Sequence, residues 1–324
     1  MNKSELIQWL QEGDVALAYQ TNKYLLDRAN HDLEDLRSQI AKEGWGAHFL
    51  SLQNNHGHWG RGFYQVKWVS SHYTLLDLRY LEMTAQPAID RTLDLIVKEN
   101  KSADGGVNPA REIKESDVCI NGMFLTYACF FGIAPEALTS IVDFLVDQQM
   151  PDGGFNCRSN RSGAVHSSVH TTISVLEGIR MYHRMGYSYR LSDLLRMEGD
   201  AQEFMLAHHL YRSDRTGDMI HKSMTMLSFP SRWKHDVLRG LVYMAEAAQD
   251  GVLPDVVEGK DKRLEDPLDL LLSKRRKDGT WPVQAKHPGL VHFDMEKAGK
   301  ASRWNTLRAL RVLRQLAPDL YHSL

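Results

Sequence analysis

A short pattern recurs along the chain: a long polar residue, three intervening residues, a glycine, one more residue and then an aromatic ring. It reads Gln53…Gly57-His58-Trp59, then Gln149…Gly153-Gly154-Phe155, then Arg275…Gly279-Thr280-Trp281. Weaker copies surround Gly105-Gly106-Val107 and Gly217-Asp218-Met219. Measured at the glycines, the copies are separated by two equal steps and then two longer ones, as expected for one ancestral unit with insertions. Such a chain is confined to supersecondary modules that bury their faces on one another. Before a glycine turn, apolar residues fall at helical spacing, as in Ile141, Phe144 and Leu145. After the last turn Trp304, Leu307, Leu310, Leu313 and Leu316 recur every third residue, with Arg308, Arg311 and Arg314 on another face. The unit is helix, glycine turn, loop, helix.

Five such pairs span residues 40–316, and N-terminal helices occupy 1–39. No Ser/Pro-rich linker or change of composition divides the chain, which predicts a single domain over 1–324. Stacked hairpins can form an open superhelix or close into a ring. The run Met123–Phe131 is apolar all round, so that helix is expected to be buried on every side, as the inner layer of a ring requires. The expected fold is all-α: an α/α toroid of about five to six repeats. Composition fits a globular protein, with 43% hydrophobic and 25% charged residues. A formal charge of −2 gives no footprint for nucleic acid or an anionic membrane. No apolar run approaches the roughly 20 residues of a membrane span. Three cysteines, Cys119, Cys129 and Cys157, cannot staple a fold and fit a reducing cytoplasm, the expected location.

Aligning the second helices by their leucine pairs brings His72, His170, His235 and Trp304 to one register position, with Cys119 in the corresponding place of the second unit. In a ring these positions gather at the mouth formed by the inner-helix N-termini, where unpaired N–H groups attract anions. Within Arg111-Glu112-Ile113-Lys114-Glu115-Ser116-Asp117-Val118-Cys119, Asp117 and Cys119 supply a hard and a soft anionic ligand. With His170, one repeat later, they compose a tetrahedral zinc set with one open position. His166, four residues before His170, is an alternative third ligand. The opposing structural reading makes Asp117 a helix cap and Cys119 a small core residue. Asp236, beside His235, and Asp294 are candidate proton-transfer acids. Ser231-Arg232-Trp233 and Ser302-Arg303-Trp304 read as a repeated corner before two inner helices.

The Gln-x-x-x-Gly-x-Trp repeat resembles that of squalene cyclases and related terpenoid cyclases, whose fold is an α/α toroid. The run Arg111-x-x-Lys114-x-x-Asp117-x-Cys119 followed by His170-Thr171-Thr172 resembles the β-subunits of protein prenyltransferases. That resemblance implies zinc on Asp117, Cys119 and His170, and an isoprenoid diphosphate held by Arg111 and Lys114, with His72 and Trp304 as further substrate-binding positions. Cys119, His170, His235 and Asp236 are the expected catalytic residues, and the expected partner is an isoprenoid-like small molecule. The chain departs from those families: it has no Asp-x-Asp-Asp acid, no Asp-Asp-x-x-Asp magnesium motif, and no sign of the α-subunit that prenyltransferases require. The expected function is therefore a prenyltransferase- or cyclase-like enzyme with a phosphorylated apolar ligand in a central cavity. Two alternatives stand beside it: a non-catalytic toroid binding a small molecule or protein, and a glycan-processing toroid enzyme.

Overall fold

The computed structural model describes residues 1–110, 112–158, 162–253 and 261–324. Helices dominate: α1 (Lys3–Gln11), α2 (Val15–Leu25), α3 (Glu34–Gln39), α4 (Gly44–Ser51), α5 (Ser71–Tyr80), α6 (Pro87–Asn100) and α7 (Val118–Phe130). There follow α8 (Pro135–Asp147), α9 (Val169–Arg184), α10 (Leu191–Ala207), α11 (Val237–Gln249), α12 (Glu265–Ser273), α13 (Arg303–Leu316) and α14 (Pro318–His322). The described β-structure is a two-residue antiparallel ribbon, β1 (Trp281–Pro282) on β2 (Ala301–Ser302), plus isolated bridges.

Two layers follow from two kinds of helix. Outer helices carry one apolar stripe: α6 buries Ile89, Thr92, Leu93 and Ile96, and α8 buries Leu138, Ile141, Val142 and Leu145. Both begin with proline, whose missing N–H is no loss in the first turn. Inner helices are covered on nearly every side; in α7 only Cys119 and Phe130 keep partial exposure. α7 and α9 approach backbone to backbone through two glycines. A Cβ on Gly122 would lie 2.6 Å from the Ser174 carbonyl oxygen, and one on Gly178 would lie 2.6 Å from that of Gly122.

The repeated motif is the joint between layers. Gly57, Gly105, Gly153 and Gly279 hold φ between 85° and 91°, a left-handed conformation that glycine adopts freely. The polar residue four before three of them donates to the glycine's own carbonyl: Gln53 at 3.3 Å, Gln149 at 3.2 Å and Arg275 at 3.2 Å. Trp59 and Trp281 are fully buried, and each indole N–H donates back to the preceding outer helix, at Phe49 O (2.7 Å) and Leu271 O (2.8 Å). The backbone N–H at the aromatic position is then accepted by a side chain in the first turn of the next inner helix. These acceptors are Ser71, Asn121, Thr172 and Thr306. The Gly217 copy differs: Met219 is 44% exposed, and nothing lies within 4 Å of a Cβ at Gly217. It is a surface turn rather than a joint.

The ring closes. The pair α1/α2 packs between α12/α13 and α4/α5 as a sixth hairpin beside α4/α5, α6/α7, α8/α9, α10/α11 and α12/α13. The Met1 ammonium donates to Asp278 O at 2.9 Å, Arg303 to Trp9 O at 2.9 Å, and Arg314 to Tyr24 O at 2.7 Å. On the other flank Gln20 donates to Tyr80 O at 2.6 Å. The inner circle is therefore α2, α5, α7, α9, α11 and α13, and sequence-remote side chains become neighbours around one bore.

Candidate functional site

The inner helices alternate with outer ones and so run parallel, which brings His72, Cys119, His170, His235 and Trp304 to one end of the bore, as their common register required. That mouth is packed with protein. Segment 63–69 enters it: Phe63 lies against His72, Lys67 lies over Trp68 and Trp233, and the Trp68 indole donates to Pro288 O at 2.6 Å. Segment 283–300 covers it from the other side, with His292 on Thr74 (2.9 Å), Phe293 on Phe49 and the Glu296 carboxylate on Ser302 and Trp304 N.

Several of the sequence-derived residues have a defined place in this mouth. His72 is fully buried and shares a 3.0 Å hydrogen bond with the Tyr127 hydroxyl; burial pushes its pKa down to about 3. His170 Nδ1 accepts the His235 backbone N–H at 2.8 Å, and burial, with Arg239 nearby, lowers its pKa to about 4. His235 lies 2.6 Å from Leu210 O through Nε2. Asp236 caps α11: Oδ1 accepts Arg239 N–H at 3.0 Å and Oδ2 accepts the Ser228 N–H and hydroxyl. Trp304 is stacked on Phe229 at 5.1 Å and lies beside Trp45. Asp294 is exposed and paired with Lys286 at 2.7 Å. The two Ser-Arg-Trp corners diverge, since Arg232 joins the buried Asp77 at 3.2 Å whereas Arg303 lies over Trp9.

The zinc expectation rests on Asp117, Cys119 and His170, and these side chains do not assemble as a ligand set. Among the described residues no three His, Cys, Asp or Glu side chains converge to hold a metal ion. Cys119 faces Cys157, the sulfur of which accepts the Cys119 backbone N–H at 3.1 Å, and His170 Nδ1 is occupied by His235. The alternative ligand His166 is exposed and lies 2.8 Å from the Arg215 guanidinium. Of the two expected diphosphate contacts, Lys114 is exposed and Arg111 lies outside the described residues.

A charged cavity lies at the opposite, C-terminal half of the bore. A cavity of about 220 Å³ is lined by all six inner helices: Lys23 and Tyr24 of α2, Arg79 and Tyr80 of α5, Phe130 of α7, Glu177 and Arg184 of α9, Arg239 and Glu246 of α11, and Trp304, Arg308 and Arg311 of α13. Phe229 and Trp304 form its floor on the side of the filled mouth. A recess of about 140 Å³, lined in part by Tyr24, Glu246, Arg311 and Arg314, adjoins it. Helix C-termini end in unpaired carbonyls and favour cations.

Charge in the cavity is unbalanced. Six cations (Lys23, Arg79, Arg184, Arg239, Arg308 and Arg311) face three carboxylates (Glu82, Glu177 and Glu246). Arg239 grips Glu177 with two bonds of 2.6 and 2.9 Å; Arg184 and Arg311 converge on Glu246 at 3.0 and 2.9 Å, and Arg184 also meets Asp250 just outside the cavity at 2.6 Å; Lys23 meets Glu82 at 2.6 Å. Burial alone would raise the Glu246 pKa, but Arg184, Arg311 and Arg79 outweigh it and hold the carboxyl down at about 2. Among the described residues, no carboxylate lies within ion-pair distance of Arg79 or Arg308. Arg308, only 8% exposed, donates to Asn305 Oδ1 at 3.1 Å. Burial raises the Tyr80 pKa, with Glu177 adding to it and Arg239, Arg308 and Arg79 opposing, so the phenol is a proton donor at neutral pH.

Reading the sequence by register stopped one step short of these residues. Arg79, Glu177 and Arg311 stand two turns beyond His72, His170 and Trp304 on the same helix faces, and Arg239 and Arg308 one turn beyond His235 and Trp304. The signal that finds them is a charge recurring on the buried stripe of an inner helix. The arginine face of α13 turns toward the bore.

No family model and no curated protein matches the chain. Solved structures do. A polysaccharide lyase aligns over 100% of this chain and 99% of its own, with 12% identity and a TM-score of 0.53. A glycosyl hydrolase of family 88 from Bacteroides vulgatus aligns over 95% and 96%, with 10% identity and a TM-score of 0.53. A type II terpene cyclase from Scytonema aligns over 84% of this chain and 94% of its own, with 14% identity and a TM-score of 0.33. At these identities the likeness concerns the fold alone, and the two whole-length alignments agree with the closed ring of helical hairpins: the chain is an α/α toroid.

Proposed function

We propose that the bore binds a small carboxylate-bearing ligand of the acidic-sugar type, and that the protein belongs with toroids that process glycans. The carrying observation is the excess of cations lining the cavity, with Arg79 and Arg308 beyond ion-pair distance of any carboxylate among the described residues. Arg308 is buried and Arg79 half-buried, and a ligand carboxylate would meet such guanidiniums in a two-point geometry. Aromatic faces of Phe130 and Trp304 beside the charged collar suit a ring with both apolar and hydroxylated surfaces.

The same cavity opposes cyclase chemistry. A carbocation intermediate would sit among a net excess of positive charge, where Coulomb repulsion destabilises it. Nine of the nineteen lining residues are charged. The fold is shared with a polysaccharide lyase and a glycosyl hydrolase, and that analogy sets which ligand class is tested first. In a bound acidic sugar, Arg79 and Arg308 would neutralise the carboxylate. Tyr80 would offer a proton to an adjacent oxygen, and Glu177, oriented by Arg239, would accept one.

Calorimetric titration tests the reading with glucuronate and galacturonate oligosaccharides, their neutral counterparts and farnesyl diphosphate. The acidic sugars should bind, the neutral ones should not, and Arg308→Ala should weaken binding at least about tenfold. Binding of farnesyl diphosphate alone would transfer the cavity to the isoprenoid reading. Binding of acidic sugars without release of new chain ends would make the toroid a receptor rather than an enzyme.

A further inference from the structure

Cys157 follows the Gly153-Gly154-Phe155 joint, and its sulfur sits at the N-terminal end of the 13-residue helix α7. There it accepts the Cys119 backbone N–H at 3.1 Å, and the Thr171 hydroxyl, from the first turn of α9, donates to it at 3.5 Å. The Cys119 side chain lies beside the same sulfur. Both cysteines are half-buried and free, whereas Cys129 is free and fully buried within α7. Two donors and a helix N-terminus aimed at one sulfur stabilise it as a thiolate.

We infer that Cys119 and Cys157 are a reversible thiol–disulfide site, with Cys157 as the attacking thiolate, Cys119 as the resolving thiol, and a low-molecular-weight disulfide as the oxidant. The Cys157 thiolate attacks one sulfur of the oxidant, forming a mixed disulfide and expelling a thiolate. Cys119 loses its proton to that thiolate and attacks the Cys157 sulfur, releasing the second small thiol. Two protein thiols are oxidised by two electrons, and one small disulfide is reduced to two thiols. Oxidation would fasten the joint at 153–157 to α7 and so tie the α6/α7 hairpin of the ring to the α8/α9 hairpin. The inference stands apart from the ligand of the bore.

The native full-length chain is incubated with oxidised glutathione and its intact mass is read under acid quench. The wild type should lose two hydrogen masses, and peptide mapping should show Cys119 joined to Cys157 with Cys129 still free. Cys119→Ser should stop at the first step, with one glutathione on Cys157, and Cys157→Ser should leave Cys119 unmodified. Brief alkylation of the unmutated protein should label Cys157 at least about tenfold faster than Cys119, which keeps the test independent of how the variants fold. Three free thiols after excess oxidant, equal labelling of the two cysteines, or both thiols blocked by stoichiometric metal in the purified protein would each overturn the inference.

Discussion

Glu246 stands between the guanidiniums of Arg184 and Arg311, with a side chain only 18% exposed. Glu246→Gln would leave two neighbouring cations with one anion fewer, and unfolding in urea should show a loss of about 3 kcal/mol. The pH dependence has a definite sign. The folded pKa of about 2 lies below the ordinary 4.5, so this stabilisation is present above pH 4.5 and drains away as pH falls toward 2. A second acid response comes from the filled mouth. Burial holds His72 and His287 near 3, and His170 and His292 near 4, against an ordinary 6.5. The unfolded chain therefore binds more protons, and stability should fall as pH drops from 6.5 toward 4. A melting series across that window tests this. His72→Phe should flatten the slope, and an unchanged slope would show that the mouth opens to water before the protein unfolds.

At the scale of helices, α7 and α9 set the spacing of the inner circle. Gly122→Ala drives a methyl to 2.6 Å from the Ser174 carbonyl oxygen, backbone against backbone, and neither helix can yield without moving its outer partner. The expected loss is about 2–3 kcal/mol in denaturant unfolding. Gly217→Ala meets no atom within 4 Å and should cost only its left-handed φ of 72°, about 1 kcal/mol. Equal losses at the two positions would refute the distinction between joint and surface turn. The contrast shows what was legible beforehand. The glycine pattern revealed the joints because the left-handed turn and the buried tryptophan are local requirements, readable at Gly57-His58-Trp59. It could not show that the Gly217 copy lacks a packing partner, because that depends on chain elements remote in sequence. The register of His72, His170, His235 and Trp304 likewise located one mouth correctly. It could not foresee that Trp68 and Phe293, from segments without periodicity, enter that mouth, or that a charged cavity lies in the opposite half of the bore.

The whole ring sets a net positive bore inside a chain whose formal charge is −2, so the remainder of the molecule is net negative. This separation of charge persists only because α1 and α2 close the circle and bring Lys23 and Tyr24 to face Arg311 and Glu82. An anion that enters the bore beside Arg79 and Arg308 should stabilise the protein by binding only the folded state. Glucuronate should raise the melting temperature progressively, while sodium chloride at equal ionic strength, which screens without a fork-shaped partner, should raise it less. The double variant Arg79→Gln/Arg308→Gln should lose the glucuronate response. If chloride and glucuronate acted alike on the parent, the cavity would be an unspecific cationic pore. If the double variant were less stable yet still responsive, its arginines would be pillars of the ring, and the anion would be held elsewhere.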